Sequence, residues 1–356
     1  MREFLIAVGA ALLAVLLLLA GLWLAGFAPT TVVATVWSGI AGSPTRLGIW
    51  LQEATPLLFT GLAAGIAFRA GVLNIGLEGQ YLLGAVAGVA VLTCGAEGWA
   101  MPWLAAIAGA LAGAAWCAGP VALERSRGVP LVLSTILLNV VAALVVGVLV
   151  QGPLHDPTTA APQSAVVPDA NRWSAVSPDL TMHAATPDGL ILGLIRWLLQ
   201  HPATVLALCL VVIAWLVQRQ TALGFELTVV GLNPTAARWA GIPVARREVG
   251  AALVSGACAG VAGALQVTSV TWFLSSDARS YGYAGIAVAL LGRLHPLGVI
   301  PAALFFAGLD LGSRQLERRM DIPHDLGDVA KGLAVAIVLI AGALAAGRAA
   351  RRAGRR

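Results

Sequence analysis

The feature that most constrains this chain is a succession of apolar stretches, each about 20 residues long, separated by short polar segments. An α-helix rises 1.5 Å per residue, so about 20 apolar residues cross the hydrocarbon core of a bilayer. Charged residues make up only 11% of the 356 residues, whereas a soluble domain carries about 25%. The sequence therefore predicts an all-α polytopic membrane protein in which residues 1–356 form a single transmembrane domain.

About ten transmembrane segments are predicted from the apolar runs. Their approximate bounds are 4–24, 49–68, 72–93, 103–122, 130–150, 198–217, 249–273, 284–292, 297–312 and 328–347. The first is interpreted as a retained helix because its apolar run is too long for a cleaved signal peptide. About twice as many arginines fall on the side of the termini as on the other side. The positive-inside rule then predicts that both termini are cytoplasmic.

Two polar segments interrupt this pattern. Residues 151–190 are rich in Pro, Asp, Ser and Thr, and the predicted topology places them in a periplasmic loop. This loop is interpreted either as a connector or as a docking surface, because unstructured connections of this length are usually functional or disordered. Residues 218–248 lie on the cytoplasmic side. There Asn233 is a plausible N-cap and Pro234 the first residue of a short helix that ends near Gly241, either as a simple interfacial helix or as a peg that receives force from a separate motor.

Two stretches place glycine and polar residues at membrane depth, namely 69–81 and 275–285. Irregular backbone survives there only where protein or a water-filled cavity satisfies its polar groups. Paired interruptions in the two halves of a transporter point to a substrate path, so broken or re-entrant helices are expected at both places. The candidate path residues are Asn74, Glu78, Gln80, Tyr81, Asn139, Trp272, Phe273, Tyr281 and Tyr283.

Each candidate also has a structural interpretation. A carboxylate at the bilayer centre costs about 2.5–3.5 kcal/mol on insertion scales, so Glu78 must be paired, protonated or hydrated. It either lines the path or bonds the backbone of its own hairpin or Arg69. Asn139 is a lone amide on an apolar helix, where bonding between helices is the more common role. The aromatic residues near 272–283 fit an aromatic belt at the outer interface or, alternatively, a stacking surface for a base.

The segments that carry these features also resemble a known family. Gly71-Val-Leu-Asn-Ile-Gly-Leu-Glu-Gly-Gln80, the stretch from Gly231 to Ile242, and Gly285-Ile-Ala-Val-Ala-Leu-Leu-Gly-Arg293 occur in this order. Together they resemble the permease subunits of bacterial ATP-binding-cassette importers for nucleosides and simple sugars, in the branched-chain amino acid, ribose and nucleoside permease family. The Asn-Ile-Gly-Leu-Glu-Gly-Gln form of the hairpin is more similar to the nucleoside branch than to the ribose branch.

The resemblance implies a bacterial inner-membrane protein that imports a nucleoside-type solute, or alternatively a ribose-like sugar. It implies as partners a second homologous permease, a cytoplasmic ATPase, a lipid-anchored or periplasmic solute-binding protein and a small-molecule solute. Membrane lipid is expected around the apolar spans. The ATPase is expected to grip the segment that contains Gly231, Asn233, Pro234, Ala237, Arg238, Gly241 and Ile242.

Other function classes fit the residues less well. The single lysine, Lys331, does not end a Gly-rich phosphate-binding loop, so ATP and Mg²⁺ are expected on the partner and no cofactor or metal on this chain. The five histidines show no metal-ligand spacing and no nucleophile is paired with a base, so no enzyme activity and no catalytic residue are expected. The arginines lie between apolar runs, which argues against nucleic acid. An ion-coupled secondary transporter remains an alternative, with Glu78 as its strongest candidate for an ion ligand.

Overall fold

The computed structural model describes residues 2–173, 197–198, 201–276, 280–323 and 325–353. Within them the chain is all α-helical, with no β-strand. The helices, numbered here in chain order, are α1 (Arg2–Leu24), α2 (Pro29–Ala41), α3 (Pro44–Arg69), α4 (Leu77–Leu92), α5 (Met101–Arg127), α6 (Leu131–Gln151), α7 (Pro202–Gln220), α8 (Ala222–Leu232), α9 (Pro234–Trp239), α10 (Val244–Ser269), α11 (Tyr281–Leu291), α12 (Pro296–Met320) and α13 (Asp325–Ala353).

The core forms where α10 packs against α3, α4 and α5. Glycines allow the close approach: a Cβ built on Gly260 would overlap the carbonyl oxygen of Gly109, and one built on Gly263 would overlap the carbonyl oxygen of Tyr81. Lipid tails are as apolar as leucine, so membrane helices associate through such small-residue contacts and through hydrogen bonds. The remaining helices surround this core, with α2 on α12, α1 on α13, and α11 between α3, α4 and α12.

The sequence predicted the helical fold correctly but not every segment. Among the described residues, six helices are long and apolar enough to cross a membrane: α3 from Thr45, α5, α6, α7, α10 and α12. The full set of ten crossings and the sidedness of the termini stay predictions. The segment predicted at 72–93 is wrong at its start, because residues 70–76 form a loop and α4 begins only at Leu77. Helix α2 was not predicted, because Thr, Ser and Gly residues interrupt its apolar run.

The described part of the predicted outer loop, up to residue 173, contacts the segment that follows α10. Backbone hydrogen bonds join Ser164 N to Leu274 O at 2.8 Å and Val167 N to Trp272 O at 2.7 Å. Asn171, which is fully buried, donates to the carbonyl oxygens of Leu92 and Ala96. This part of the loop is therefore an ordered cover over the ends of α4 and α10, while residues 174–190 of the predicted loop lie outside the described residues.

Candidate functional site

The first interruption, residues 70–76, is closed by a pair of buried amides. The side chains of Asn74 and Gln80 donate to each other, with both N–O distances at 3.0 Å. Asn74 also donates to the hydroxyl of Ser255 on α10 at 3.2 Å and accepts from the backbone N–H of Gly76. Both amides are almost completely buried. The loop at membrane depth thus satisfies its polar groups with protein, as such backbone must.

Asn139, on α6, fastens this loop to its neighbours. Its side-chain oxygen accepts from the backbone N–H of Gly79 at 2.8 Å, and its Nδ2 donates to the carbonyl oxygen of Ile75 at 2.9 Å and to the Tyr283 hydroxyl at 3.0 Å. The side chain is 2% exposed, so its hydrogen-bonding capacity is directed at protein. Asn139 therefore joins α6, the start of α4 and the start of α11.

Glu78 connects the two interruptions. Its Oε2 accepts from the backbone N–H groups of Gly282 at 2.9 Å and Tyr283 at 3.3 Å, in the first turn of α11. These N–H groups have no partner inside their own helix, and a negative charge is favourable at a helix N-terminus. The sequence analysis considered two structural partners for Glu78, the backbone of its own hairpin and Arg69. In the structure Glu78 bonds the second interruption instead, and Arg69 donates to Thr228 at 3.1 Å.

Gly282 is required for this contact. A Cβ at position 282 would overlap the backbone of Glu78, so only glycine lets α11 approach α4 closely enough. The contact spans 204 positions in the sequence. Local sequence patterns carry no information about such a pairing, and the sequence therefore predicted the two interruptions without predicting that they touch.

A second carboxylate, the buried Glu53, also bonds the start of α11. The Tyr281 hydroxyl donates to Glu53 on α3, and Arg314 on α12 lies 3.3 Å from the same carboxylate. The rings of Tyr81 and Tyr281 are in contact, with centroids 5.8 Å apart and a tilt of 52° between their planes. Glu53 and Arg314 were not among the predicted site residues, although a lone carboxylate within an apolar stretch was a usable signal for Glu53, as it was for Glu78.

The candidate residues fall into two groups in the structure. Asn74, Glu78, Gln80, Tyr81, Asn139 and Tyr281 are buried and bonded within the protein. Tyr283 is 44% exposed, while Trp272 and Phe273 are half-buried under the outer loop, where the guanidinium of Arg172 lies 4.9 Å from the centre of the Trp272 ring. A role of these residues in lining a solute path stays a prediction.

The predicted cytoplasmic segment contains the short capped helix that its sequence indicates. The Asn233 side chain accepts from the backbone N–H of Ala236 at 3.0 Å, Pro234 is the first residue of α9, and Gly241 follows the helix with a left-handed φ of +77°. Ala237 is the one residue of α9 that is buried; Trp239 is 89% exposed. Helix α9 therefore presents most of its surface, including one large apolar side chain, to its surroundings.

Helix α8 connects this exposed helix to the first interruption. A Cβ on Gly231 would overlap the carbonyl oxygen of Arg69, and one on Gly71 would lie 3.2 Å from the Gly231 Cα. The Arg69 side chain adds its hydrogen bond to Thr228 of α8. The backbone of α8 thus lies directly against residues 69–71, and two glycines make the contact.

Comparison with known proteins identifies the family of the chain. A family model described as "Branched-chain amino acid transport system / permease component" matches residues 46–342. The chain belongs to this permease family. It is accordingly a multi-pass membrane protein and the permease component of a transport system, as its resemblance predicted.

Relatives match over most of their own length. The guanosine ABC transporter permease protein NupP of Bacillus subtilis is 31% identical, over 90% of this chain and 88% of its own. The glucose ABC transporter permease protein TsgB13 of Haloferax volcanii is 33% identical over 81% and 74%, and the nucleoside ABC transporter permease protein NupB of Lactococcus lactis is 30% identical over 76% and 73%. No solved structure matches the chain.

Proposed function

We propose that this permease is the membrane-spanning subunit of an ATP-binding-cassette importer that moves a nucleoside-type solute inward. The observation that carries the proposal is its similarity to the guanosine permease of Bacillus subtilis over nine-tenths of the chain. Permeases described as acting on nucleosides or guanosine also include NupC and NupQ, at 28% and 30% identity. The form of the hairpin around Glu78 favours the same branch.

In the proposed mechanism the permease provides an alternating-access pathway and does no covalent chemistry. A solute-binding protein delivers the solute at the outer face, a second homologous permease completes the pathway, and a cytoplasmic ATPase that holds ATP and Mg²⁺ drives it. This proposal includes about ten crossings with both termini in the cytoplasm of a bacterial cell, because the arginine distribution supports that orientation. Solute contacts along the path are expected to be weak enough for release.

A continuous series of contacts supports a mechanical role for α9. The exposed α9 follows α8, the backbone of α8 touches residues 69–71, and the short loop after them leads to Glu78, which bonds the start of α11. Movement imposed on α9 has a short route to both interruptions. A substitution on the exposed surface of α9 tests whether this route couples the two ends.

That test is Trp239→Ala in the assembled transporter. If α9 is the ATPase contact, removal of this exposed ring should lower uptake and solute-stimulated ATP hydrolysis while leaving the amount of folded permease unchanged. The matched control is Trp99→Ala, because Trp99 is 83% exposed in the turn between α4 and α5. Uptake and ATP hydrolysis by Trp239→Ala at the level of the wild type would contradict the coupling role of α9.

A simple sugar is the second candidate cargo, because the glucose permease of Haloferax volcanii is 33% identical over 81% of the chain. The deciding measurement is uptake of labelled guanosine and uridine in cells with and without this gene, its partner subunits present, with unlabelled glucose and ribose as competitors. We expect gene-dependent nucleoside uptake that stops on ATP depletion and that the sugars do not reduce. Competition by a sugar would move the cargo to the second candidate, and uptake that a protonophore but not ATP depletion abolishes would favour an ion-coupled transporter.

A further inference from the structure

A cleft of about 310 Å³ lies between α7 and α10 and reaches the first interruption only at Arg69. Residues of α3 form its floor, among them Leu62, Gly65 and Ile66. Its volume is at the lower end of the range for small-molecule sites, about 300–1,000 Å³. None of the predicted path residues lines it, so the proposed solute pathway does not account for it.

The wall of the cleft is almost entirely apolar and opens toward the surroundings of the bundle. Ile213 on α7 and Val254 on α10 line it and are 53% and 50% exposed. Both belong to helices long and apolar enough to cross the membrane. Hydrocarbon therefore has direct access to the opening between these two residues.

One end of the cleft is basic. The side chains of Arg69, Arg246 and Arg247 line this end. Arg247 pairs with Glu226 and Arg69 bonds Thr228, whereas Arg246 is exposed and has no ion-pair partner among the residues that the structure describes. Three guanidinium groups against one carboxylate leave an excess of positive charge, which selects an anion at this end.

The dimensions match one leaflet of a bilayer. Along α10 the cleft extends from Arg246 to Cys258, which is about 18 Å at 1.5 Å per residue. Half of the hydrocarbon core is about 15 Å thick. A ligand that fits must combine an anionic group at the α8 end with an apolar chain of about that length.

We propose that this cleft binds one anionic glycerophospholipid, with its phosphate at Arg246 and one acyl chain between α7 and α10. Basic pockets between membrane helices are a general means of recognising anionic lipid headgroups. The lipid would fill the space between α7 and the α3–α10 core and so support α8, which borders the same cleft through Leu223 and Leu227. Since Arg246 lies on the predicted cytoplasmic side, the lipid belongs to the cytoplasmic leaflet. Only this leaflet assignment rests on the proposed orientation, and the site itself does not depend on the transported solute.

The test is native mass spectrometry of the full-length permease, purified in mild detergent and equilibrated with equal amounts of dioleoylphosphatidylglycerol and dioleoylphosphatidylcholine. We expect one retained phosphatidylglycerol per chain in preference to phosphatidylcholine. Arg246→Gln should reduce that retention about fivefold, the effect of one arginine near anionic lipid. Its matched control is Arg127→Gln, at the exposed C-terminal end of α5, which should retain phosphatidylglycerol like the wild type.

A second variant blocks the chain rather than the headgroup. A Cβ on Gly65 meets nothing within 4 Å, so Gly65→Leu fills the floor of the cleft without displacing backbone and should abolish lipid retention. Gly119→Leu on α5, where a Cβ also meets nothing, is its control. The proposal is overturned if Gly65→Leu retains as much phosphatidylglycerol as the wild type, or if the wild type shows no preference for this lipid. It is also overturned if guanosine displaces the lipid, or if a second copy of the chain occupies the cleft. Because no transport is measured, these results are independent of whether the nucleoside assignment holds.

Discussion

Replacement of Glu78 tests whether the carboxylate is a latch between the two interruptions. Both of its backbone hydrogen bonds, to Gly282 at 2.9 Å and Tyr283 at 3.3 Å, end on the same oxygen. In Glu78→Gln, one amide oxygen can accept both. The substitution therefore removes the charge and leaves the geometry in place.

Two opposing effects determine the stability of Glu78→Gln. Hydrogen bonds to a charged group contribute about 1.5–3 kcal/mol and neutral ones about 0.5–1.5, so two bonds lose about 2–3 kcal/mol in total. Removal of a carboxylate from membrane depth recovers about 2.5–3.5 kcal/mol on insertion scales. The two nearly cancel, and we expect the free energy of unfolding to change by no more than about 1.5 kcal/mol.

Glu78→Leu gives a different expectation. Leucine has a similar size but accepts no hydrogen bond, so the N–H groups of Gly282 and Tyr283 lose their side-chain partner in a buried site. Each buried donor without a partner costs about 1–3 kcal/mol, or about 2–6 kcal/mol for both. Both variants lack the buried charge, so its relief cancels when the two are compared. Counted against the neutral hydrogen bonds that glutamine makes, the two donors without a partner should make Glu78→Leu less stable than Glu78→Gln by about 2–6 kcal/mol.

The assay is equilibrium unfolding of the purified permease by titration of SDS into mild detergent micelles, with each variant compared with the wild type. The control pair is Glu124→Gln and Glu124→Leu, because Glu124 also accepts a backbone N–H, that of Leu131 at 3.2 Å, but its own side chain is exposed. We expect the control pair to differ by less than about 1 kcal/mol. Equal stability of the two Glu78 variants would refute the latch, since the loss of the acceptor would then cost nothing.

Three further expectations concern other parts of the molecule. Asn139→Ala should lower the free energy of unfolding in the same SDS titration by about 2 kcal/mol. Three hydrogen bonds are lost, and such bonds average about 0.6 kcal/mol each in a membrane protein. An unchanged midpoint of the SDS unfolding curve would contradict this. Gly260→Ala should greatly reduce the yield of folded protein, because its Cβ overlaps the backbone of α5. Gly119→Ala should leave the yield unchanged, since its Cβ meets nothing within 4 Å. Size-exclusion profiles of the two variants measure this yield, and equal profiles would contradict the expectation. Hydrogen bonds from Thr158 lower the pKa of Asp156 below its ordinary value of 3.8. Asp156 therefore stabilises the outer loop above pH 3.8, and this stabilisation is lost as the pH falls through the lowered pKa. Proteolysis of the loop should rise over that acid range in the wild type and stay constant in Asp156→Asn.

Local features were predicted from the sequence and distant pairings were not. The cap of α9 needs only Asn233, Pro234 and the glycine that follows, all within nine residues, so propensity and turn chemistry were sufficient. The apolar runs likewise predicted the long helices, because a bilayer demands about 20 apolar residues in succession. In contrast, α2 has only 13 residues and mixed composition, and its position depends on packing against α12.

The candidate site shows the same division. Polar residues at membrane depth identified Asn74, Glu78 and Asn139 as unusual, because the cost of burying such groups is independent of their partners. Their hydrogen-bond partners are far away in the sequence: Ser255 lies 181 positions from Asn74, Gly282 lies 204 from Glu78, and Tyr283 lies 144 from Asn139. Those pairings follow from the three-dimensional packing of α4, α6, α10 and α11.

The glycine contact between α8 and the first interruption limits how sequences of this kind can vary. Neither Gly71 nor Gly231 can accept a side chain, the first because its φ is +78° and the second because the Arg69 carbonyl oxygen occupies the space. This joint therefore tolerates almost no substitution, regardless of which molecule is transported. The requirement is set by backbone geometry alone, so sequences of this design can vary in their side chains elsewhere while this contact between α8 and residues 69–71 stays the same.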